Sequence, residues 1–337
     1  MEERVQVSII CLAYNHEKYI KHCLDGFVMQ KGVTFEIIIH DDASTDKTAD
    51  IIREYESNYP DLFKPVYQSE NQFSKHIPFA RKYLIPLVTG KYVALCEGDD
   101  YWTDPYKLRK QYDALENNPD SYMCLHRVDV VNEDGSVNGN SYPACQIDSG
   151  KMTSDEFYSV YKDARYYQTS CYFFNGEKYK DYIMNPPEFR RKAPVGDIPL
   201  VLYFSFIGNV YYFDSVMSKY RVQSNGSWSD RFNKNGKEKF LIQETHYNKM
   251  KTMFKEFSLF SKNKYDNELM FFGEFIEQME SFLNDEKYWY YLKEKEYRQL
   301  FKDFPVKELK SRGLSHKALL KMKLHLYFPN LFYPAPQ

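Results

Sequence analysis

The first hundred residues switch repeatedly between two hydrophobic periods, and that switching restricts the fold more than anything else in the chain. Val5–Leu12 is a nearly continuous β-branched apolar run, the pattern of a strand buried on both faces of a parallel sheet. His16–Met29 carries Tyr19, Ile20, Cys23, Leu24 and Phe27 at three-and-four spacing and reads as a helix. Phe35–His40 is a second strand, and Lys47–Tyr59 a second helix closed by Pro60. Phe63–Gln68, a helical stretch at Pro78–Val88 and a strand at Lys91–Cys96 continue the series. Strands alternating with helices need crossover connections. The expected fold is therefore α/β, with a mostly parallel central sheet and helices on both faces.

Past about residue 120 the pattern changes. Tyr122–Val131 reads as a strand ended by the turn Asn132-Glu133-Asp134-Gly135. Residues 136–195 read as irregular, with one short strand at Ser170–Phe174. The uncharged run Ile198–Phe213 is shorter than the ~20 residues that span a bilayer, and reads as a buried helix followed by a strand. From Lys237 onward helices are expected near 237–257, 266–283 and 287–302. The expected division is a catalytic domain at 1–235, with a donor half (1–120) and an acceptor half (121–235), followed by a helical C-terminal region at 236–337.

Composition excludes several functions. A net charge of −2 over 337 residues lacks the basic excess of a nucleic-acid binder. The six cysteines include no C-x-x-C pair, so neither a zinc site nor a redox motif is expected. With MEERVQVSII at the start, offering no charged leader before an apolar core, the expected location is cytoplasmic. Dinucleotide and P-loop glycine motifs are absent, as are H-E-x-x-H and G-x-S-x-G.

In an open parallel sheet, ligands bind beyond the carboxyl ends of the strands. Ala13-Tyr14-Asn15 follows the first strand, Asp41-Asp42-Ala43-Ser44 the second, and Glu97-Gly98-Asp99-Asp100 the fourth. Each has a plain structural explanation, since Ser44 or Asp46 can cap the following helix and an acidic turn can be merely solvated. Their joint placement points further. Carboxylates at 41, 42, 97, 99 and 100 would repel unless a cation sat among them. Hard oxygen ligands suit Mg²⁺ or Mn²⁺ on a nucleoside diphosphate.

The segments VSIICLAYNHEKYIKHCLDG, EIIIHDDASTDKTADII and ARKYLIPLVTGKYVALCEGDDYWTDPYKL together resemble glycosyltransferase family 2, with its GT-A fold, over roughly residues 5–230. The resemblance implies an inverting, metal-dependent transfer from a nucleotide-diphospho-sugar, expected to be UDP-linked, in cell-surface polysaccharide or glycoconjugate synthesis. By the same resemblance, Ala13, Tyr14 and Asn15 line the nucleoside pocket. Asp41 or Asp42 contacts the base, and Arg81 lies near base and phosphate. Glu97-Gly98-Asp99 matches the D-x-D motif with Glu in first position, so Asp99, with Glu97, is expected to hold the metal. Asp197, in Gly196-Asp197, matches the catalytic base, although helix capping alone also explains an Asp there. Asp214, Asp181 and Glu188 are the alternatives. Gln223 stands where many relatives have His, which leaves Arg221 either as a fallback phosphate contact or as the partner of a surface acid. Asp100 and Trp102 complete the donor set, Trp102 either stacking on a sugar or packing in the core.

Two rivals use the same acidic edge: a sugar nucleotidyltransferase, and a non-catalytic nucleotide-sugar or glycan-binding module. The first needs a glycine- and arginine-rich loop after the first strand, which Ala13-Tyr14-Asn15-His16 is not. The acceptor is a glycan, a lipid-linked species or a protein. The C-terminal helices can cover the site, pair in a homodimer or reach a membrane. Residues 306–325 hold six Lys and Arg against Glu308, among leucines, which suits an anionic surface.

Overall fold

The computed structural model describes residues 4–164, 166–222 and 237–293. Gln223, the Gly226–Ser229 segment, the end of the helix expected at 287–302 and the basic 306–325 stretch lie outside the described residues. The strands are β1 (Val7–Ala13), β2 (Phe35–Asp41), β3 (Phe63–Tyr67), β4 (Tyr92–Glu97), β5 (Tyr101–Trp102), β6 (Ser121–Val131), β7 (Val137–Tyr142), β8 (Gly150–Met152), β9 (Phe173–Asn175) and β10 (Asn209–Arg221). The helices are α1 (Ile20–Val28), α2 (Thr48–Asn58), α3 (Lys107–Glu116), α4 (Ser154–Ala164), α5 (Gly176–Met184), α6 (Glu188–Lys192) and α7 (Asp197–Ile207), then α8 (Lys237–Phe260) and α9 (Asp266–Lys293).

One sheet runs β3-β2-β1-β4-β9-β6-β10-β5, with β7 on β6 and β8 on β10. The neighbours β3, β2, β1 and β4 are parallel. The short β9 is antiparallel to both β4 and β6, and β10 returns parallel to β6. Register then fixes the edge where the strands stop. Ala13 is opposite Asp41, and Leu12 is opposite Glu97. The apolar runs pack as their pattern requires: Val7, Ile9, Cys11, Ile37 and Ile39 meet Ile20, Cys23, Leu24 and Phe27 of α1 in one buried cluster. At ~25 cal/mol per Å² of apolar surface, each such side chain adds roughly 1.5–3 kcal/mol. Gly26 admits the Trp102 backbone, because a Cβ there would lie 2.9 Å from the Trp102 N and O.

The region 136–195 is not irregular. It holds β7, β8, α4, β9, α5 and α6. Helix α4 begins with a capping box. The Thr153 amide donates to Glu156 Oε2 (2.7 Å), and the Glu156 amide donates to Thr153 Oγ1 (3.3 Å). Its buried face is Phe157, Tyr158 and Tyr161, aromatics that a reading based on aliphatic periodicity passes over.

The chain divides into two compact units, Met1–Asp230 with Met253–Leu269, and Arg231–Thr252 with Met270–Gln337. In the first unit, Tyr265 stacks on Tyr158 at 3.8 Å between centroids and donates to Asp155 (2.7 Å). In the second, Lys251 pairs with Glu280 (2.5 Å). Among the described residues, no helix is long and apolar enough to cross a membrane.

Candidate active site

The loops after β1 and β2 are tied to each other by short polar side chains. Asn15 and Ala43 both take left-handed backbone angles (φ 56° and 62°), an unusual conformation for non-glycine residues. The Asn15 amide donates to Ser44 Oγ (2.9 Å), and Asn15 Oδ1 accepts the Thr45 amide (2.8 Å). The His16 amide donates to Thr48 Oγ1 (2.7 Å), and the Glu17 amide to Asp46 Oδ2 (3.0 Å). Ser44 therefore joins loops, while Asp46 Oδ1 accepts the Thr48 amide in the first turn of α2. Tyr14 projects from this rim, 42 % exposed.

The two neighbouring aspartates are used differently. Asp42 accepts the amides of Gln72 (2.6 Å) and Phe73 (3.0 Å), so both its oxygens hold the 71–74 loop. Asp41 Oδ2 accepts the Ser44 amide (3.2 Å), but its buried Oδ1 has no partner. An unpaired buried acceptor is costly, so of the two, Asp41 has an oxygen left for a ligand N–H. Arg81 is exposed in the turn after Phe79, with no ion pair or hydrogen bond among the described residues.

The β4–β5 loop carries the acidic cluster. Gly98 is required where it stands, because a Cβ would lie 2.8 Å from His16 Nδ1 and 2.9 Å from Ile20 Cδ1. The Gly98 amide donates to the Leu12 carbonyl (2.9 Å), and the Cys23 thiol to the Glu97 carbonyl (3.5 Å). One oxygen from each of Glu97, Asp99 and Asp100 lies within 4.8 Å of the others. Solvent reaches Glu97, but enough protein surrounds it that lost hydration, then the charges of Asp99 and Asp197, push its carboxyl up to about 8. Burial, and then the neighbouring Asp99, Cys96 and Glu97, raise Asp100 well above the carboxylate range.

A divalent cation would relieve this repulsion, and an all-oxygen donor set fits Mg²⁺ or Mn²⁺. Asp100 already accepts the Arg221 amide (2.8 Å) and Gln168 Nε2 (2.5 Å). Glu97, Asp99 and Asp100 together form an acidic group that could hold such an ion.

Two expected ligand contacts are directed elsewhere. Trp102 is 2 % exposed, its Nε1 donates to the Ser170 carbonyl (3.0 Å), and Phe27 and Lys107 pack on its ring. It supports the acidic loop from behind and offers no face to a sugar. Arg221 is equally buried. Its Nε donates to the Asp99 carbonyl (3.1 Å), its Nη1 to the Glu133 carbonyl (2.6 Å), and its guanidinium stacks on Tyr19. Its Nε and Nη1 donors are spent on backbone carbonyls, so Arg221 clamps the loop. A cavity of about 580 Å³ opens beside it, lined by Lys18, His22, Glu133 and Ser136 among others. None of Glu97, Asp99 or Asp197 lines it, so the catalytic reading rests on the carboxylates.

Asp197 is the first residue of α7, half-buried, and its Oδ1 accepts the Ile198 amide (2.8 Å). A hundred residues from Glu97 in sequence, it is near enough in the fold for its charge to help raise the Glu97 carboxyl. The alternatives are otherwise engaged. Asp214 pairs with Arg127 (2.5 Å) and accepts from Gln146. Glu188 pairs with Arg191 and Lys192, and Asp181 accepts from Asn185. Sequence reasoning missed His16 behind Gly98, Gln168 on Asp100 and Tyr166 on Asp197. No period marks them, since each matters through a contact made only in the fold.

Residues 8–182 match the profile of Glycosyl transferase family 2, and the chain belongs to that family. An uncharacterized protein of Mycobacterium tuberculosis is 46% identical over 138 residues, covering 41% of this chain and 39% of that protein. An uncharacterized glycosyltransferase of Methanocaldococcus jannaschii is 24% identical over 261 residues, 73% of this chain and 80% of its own. The chain thus spans about two fifths of the mycobacterial relatives it matches. Among solved structures, S. aureus TarS 1-349 in complex with UDP-GlcNAc aligns with a TM-score of 0.54 and 18% identity, covering 75% of this chain and 66% of that one. The shared fold is GT-A.

Proposed function

We propose that the protein is an inverting glycosyltransferase taking its sugar from a UDP-linked donor. The observation that carries this reading is the cluster of Glu97, Asp99 and Asp100 at the end of β4 and the loop after it, with Asp197 near enough for its charge to act on Glu97. The TarS complex with UDP-GlcNAc supports a uridine donor on the same fold. Asp41 Oδ1 would accept the N–H of the base beside Ala13, Tyr14 and Asn15, and the unpaired Arg81 would face base or phosphate. Glu97 and Asp99 would hold Mn²⁺ or Mg²⁺, which supplies charge stabilisation for the departing diphosphate.

Asp197 would take the proton from an acceptor hydroxyl as that oxygen bonds to the anomeric carbon from the face opposite the diphosphate. The sugar–phosphate C–O bond breaks, and its electron pair leaves with the diphosphate. The 136–195 segment would shape the site for a glycan, lipid-linked or protein acceptor, and residues 306–325 would attach weakly to an anionic membrane. The test is a panel of UDP- and GDP-sugars with Mn²⁺ or Mg²⁺, reading nucleoside diphosphate release. Release from a UDP-sugar supports the reading. Binding with no release favours the glycan- or nucleotide-sugar-binding module, and consumption of a nucleoside triphosphate favours the nucleotidyltransferase.

A further inference from the structure

Asp197 is not held by its own helix alone. While Oδ1 accepts the Ile198 amide at 2.8 Å, Oδ2 accepts the Tyr166 hydroxyl at 2.5 Å. Tyr166 comes from the segment between α4 and β9. Its ring stands edge-on to Tyr142 (5.4 Å between centroids, 84°), which leans in turn on Tyr220 (6.3 Å). Burial, and then the charge of Asp197, push the phenol well above its usual range, so it remains a donor at any working pH.

A carboxylate fixed by one hydrogen bond can still rotate about its side-chain bonds. Bonds to both oxygens, from an amide of α7 and from a phenol outside it, set the plane of the group and leave each oxygen a further lone pair. A general base acts only from within hydrogen-bond reach of the proton it takes, and a misplacement of ~1 Å can cost about 10²-fold. We propose that Tyr166 is a positioning residue, orienting the Asp197 carboxylate for proton abstraction from the acceptor. This rests on the reading of Asp197 as the base.

The test is a double-mutant cycle of Tyr166→Phe and Asp197→Asn, assayed with UDP-N-acetylglucosamine, UDP-glucose and UDP-galactose in Mn²⁺. In the wild-type background, Tyr166→Phe is expected to lower kcat about 10- to 100-fold with donor KM changed less than two-fold. In the Asp197→Asn background it is expected to change nothing further. The same loss in both backgrounds, or none in the wild type, would overturn the positioning role. Full turnover in Asp197→Asn alone would instead remove the base assignment, and this inference with it. If Tyr166→Phe folds poorly, 4-fluorophenylalanine at position 166 keeps the ring and fills the place of the hydroxyl while removing the donated proton. An unchanged kcat there would also overturn the proposal.

Discussion

In residues 7–97, strand-end loops are joined by short polar side chains: Asn15 to Ser44 and Thr45, Glu17 to Asp46, Asp42 to the 72–73 amides. In residues 121–221 the comparable joints are made by large side chains. Tyr158 donates to the Leu202 carbonyl, Tyr172 to the Tyr167 carbonyl, Gln168 to Asp100, and the Arg221 guanidinium to the Glu133 carbonyl. The first arrangement leaves one buried oxygen of Asp41 without a partner. The second places aromatic rings and a held carboxylate around the point where an acceptor would enter. The two halves of one sheet are thus tied together by side chains of different size.

The sharpest way to break the comparison is at the acidic loop of the first half. Asp99→Ala is expected to abolish the Mn²⁺-dependent part of UDP affinity and to lower turnover on the order of 10³-fold, the several kcal/mol a metal contributes. Calorimetric titration of UDP with and without Mn²⁺, on both proteins, reads this directly. Equal affinities in all four titrations would end the metal role and make the acidic loop structural.

Acid should separate the halves next. In the first, Glu36 is almost fully buried. Burial pushes its carboxyl up, but bonds from Lys64, Ser8 and Thr89 together outweigh that and hold it below its usual range. A depressed folded pKa means the stabilisation is complete above the unfolded value of ~4.3 and is lost as pH falls through the folded one. In the second half, burial and then Lys107 push the His126 imidazole well down. The folded state excludes a proton that the unfolded chain accepts below ~6.5, so stability is lost as pH falls from there. Melting temperatures from pH 8 to 3 are expected to fall in two stages. His126→Leu should shrink the upper one, to which the His40 and His246 imidazoles, also lowered by burial, contribute. Glu36→Gln should cost about 1–3 kcal/mol at pH 7 and flatten the lower one. A single stage unaffected by either variant would contradict the assignment.

The smallest effect expected is at the α4 capping box. Thr153→Ala should cost about 1 kcal/mol by urea denaturation, with turnover per folded molecule unchanged. A large loss of turnover would mean that α4 shapes the reacting centre more directly than its packing suggests.

Much of the first half was legible because β-branched runs and three-and-four spacing are local signals. Val7–Ala13 and Phe35–Asp41 fall where the apolar runs do, and Glu97 lies opposite Leu12 because parallel register follows. The stretch expected to be helical at 78–88 is a π-helical turn, Ala80–Leu84, followed by a 3₁₀ turn, Ile85–Leu87, with Pro86 in the second. The 136–195 region was illegible for another reason. Its periodicity is carried by tyrosines, whose rings bury while their hydroxyls find distant partners, such as Tyr158 on Leu202 and Tyr166 on Asp197. Composition cannot separate such residues from surface tyrosines. The burial of Trp102 and the backbone contacts of Arg221 were hidden likewise, since both depend on β10 arriving beside β5.

The most direct test of the account is Asp197→Asn, measured for turnover, UDP–Mn²⁺ affinity and melting temperature on one preparation. The substitution keeps the size and an oxygen for the Ile198 amide, but removes the proton acceptor. Turnover is expected to fall about 10²–10⁴-fold, with UDP affinity and melting temperature nearly unchanged. Turnover within a few-fold of the wild type would show that Asp197 serves only the first turn of α7, and would contradict the site described above.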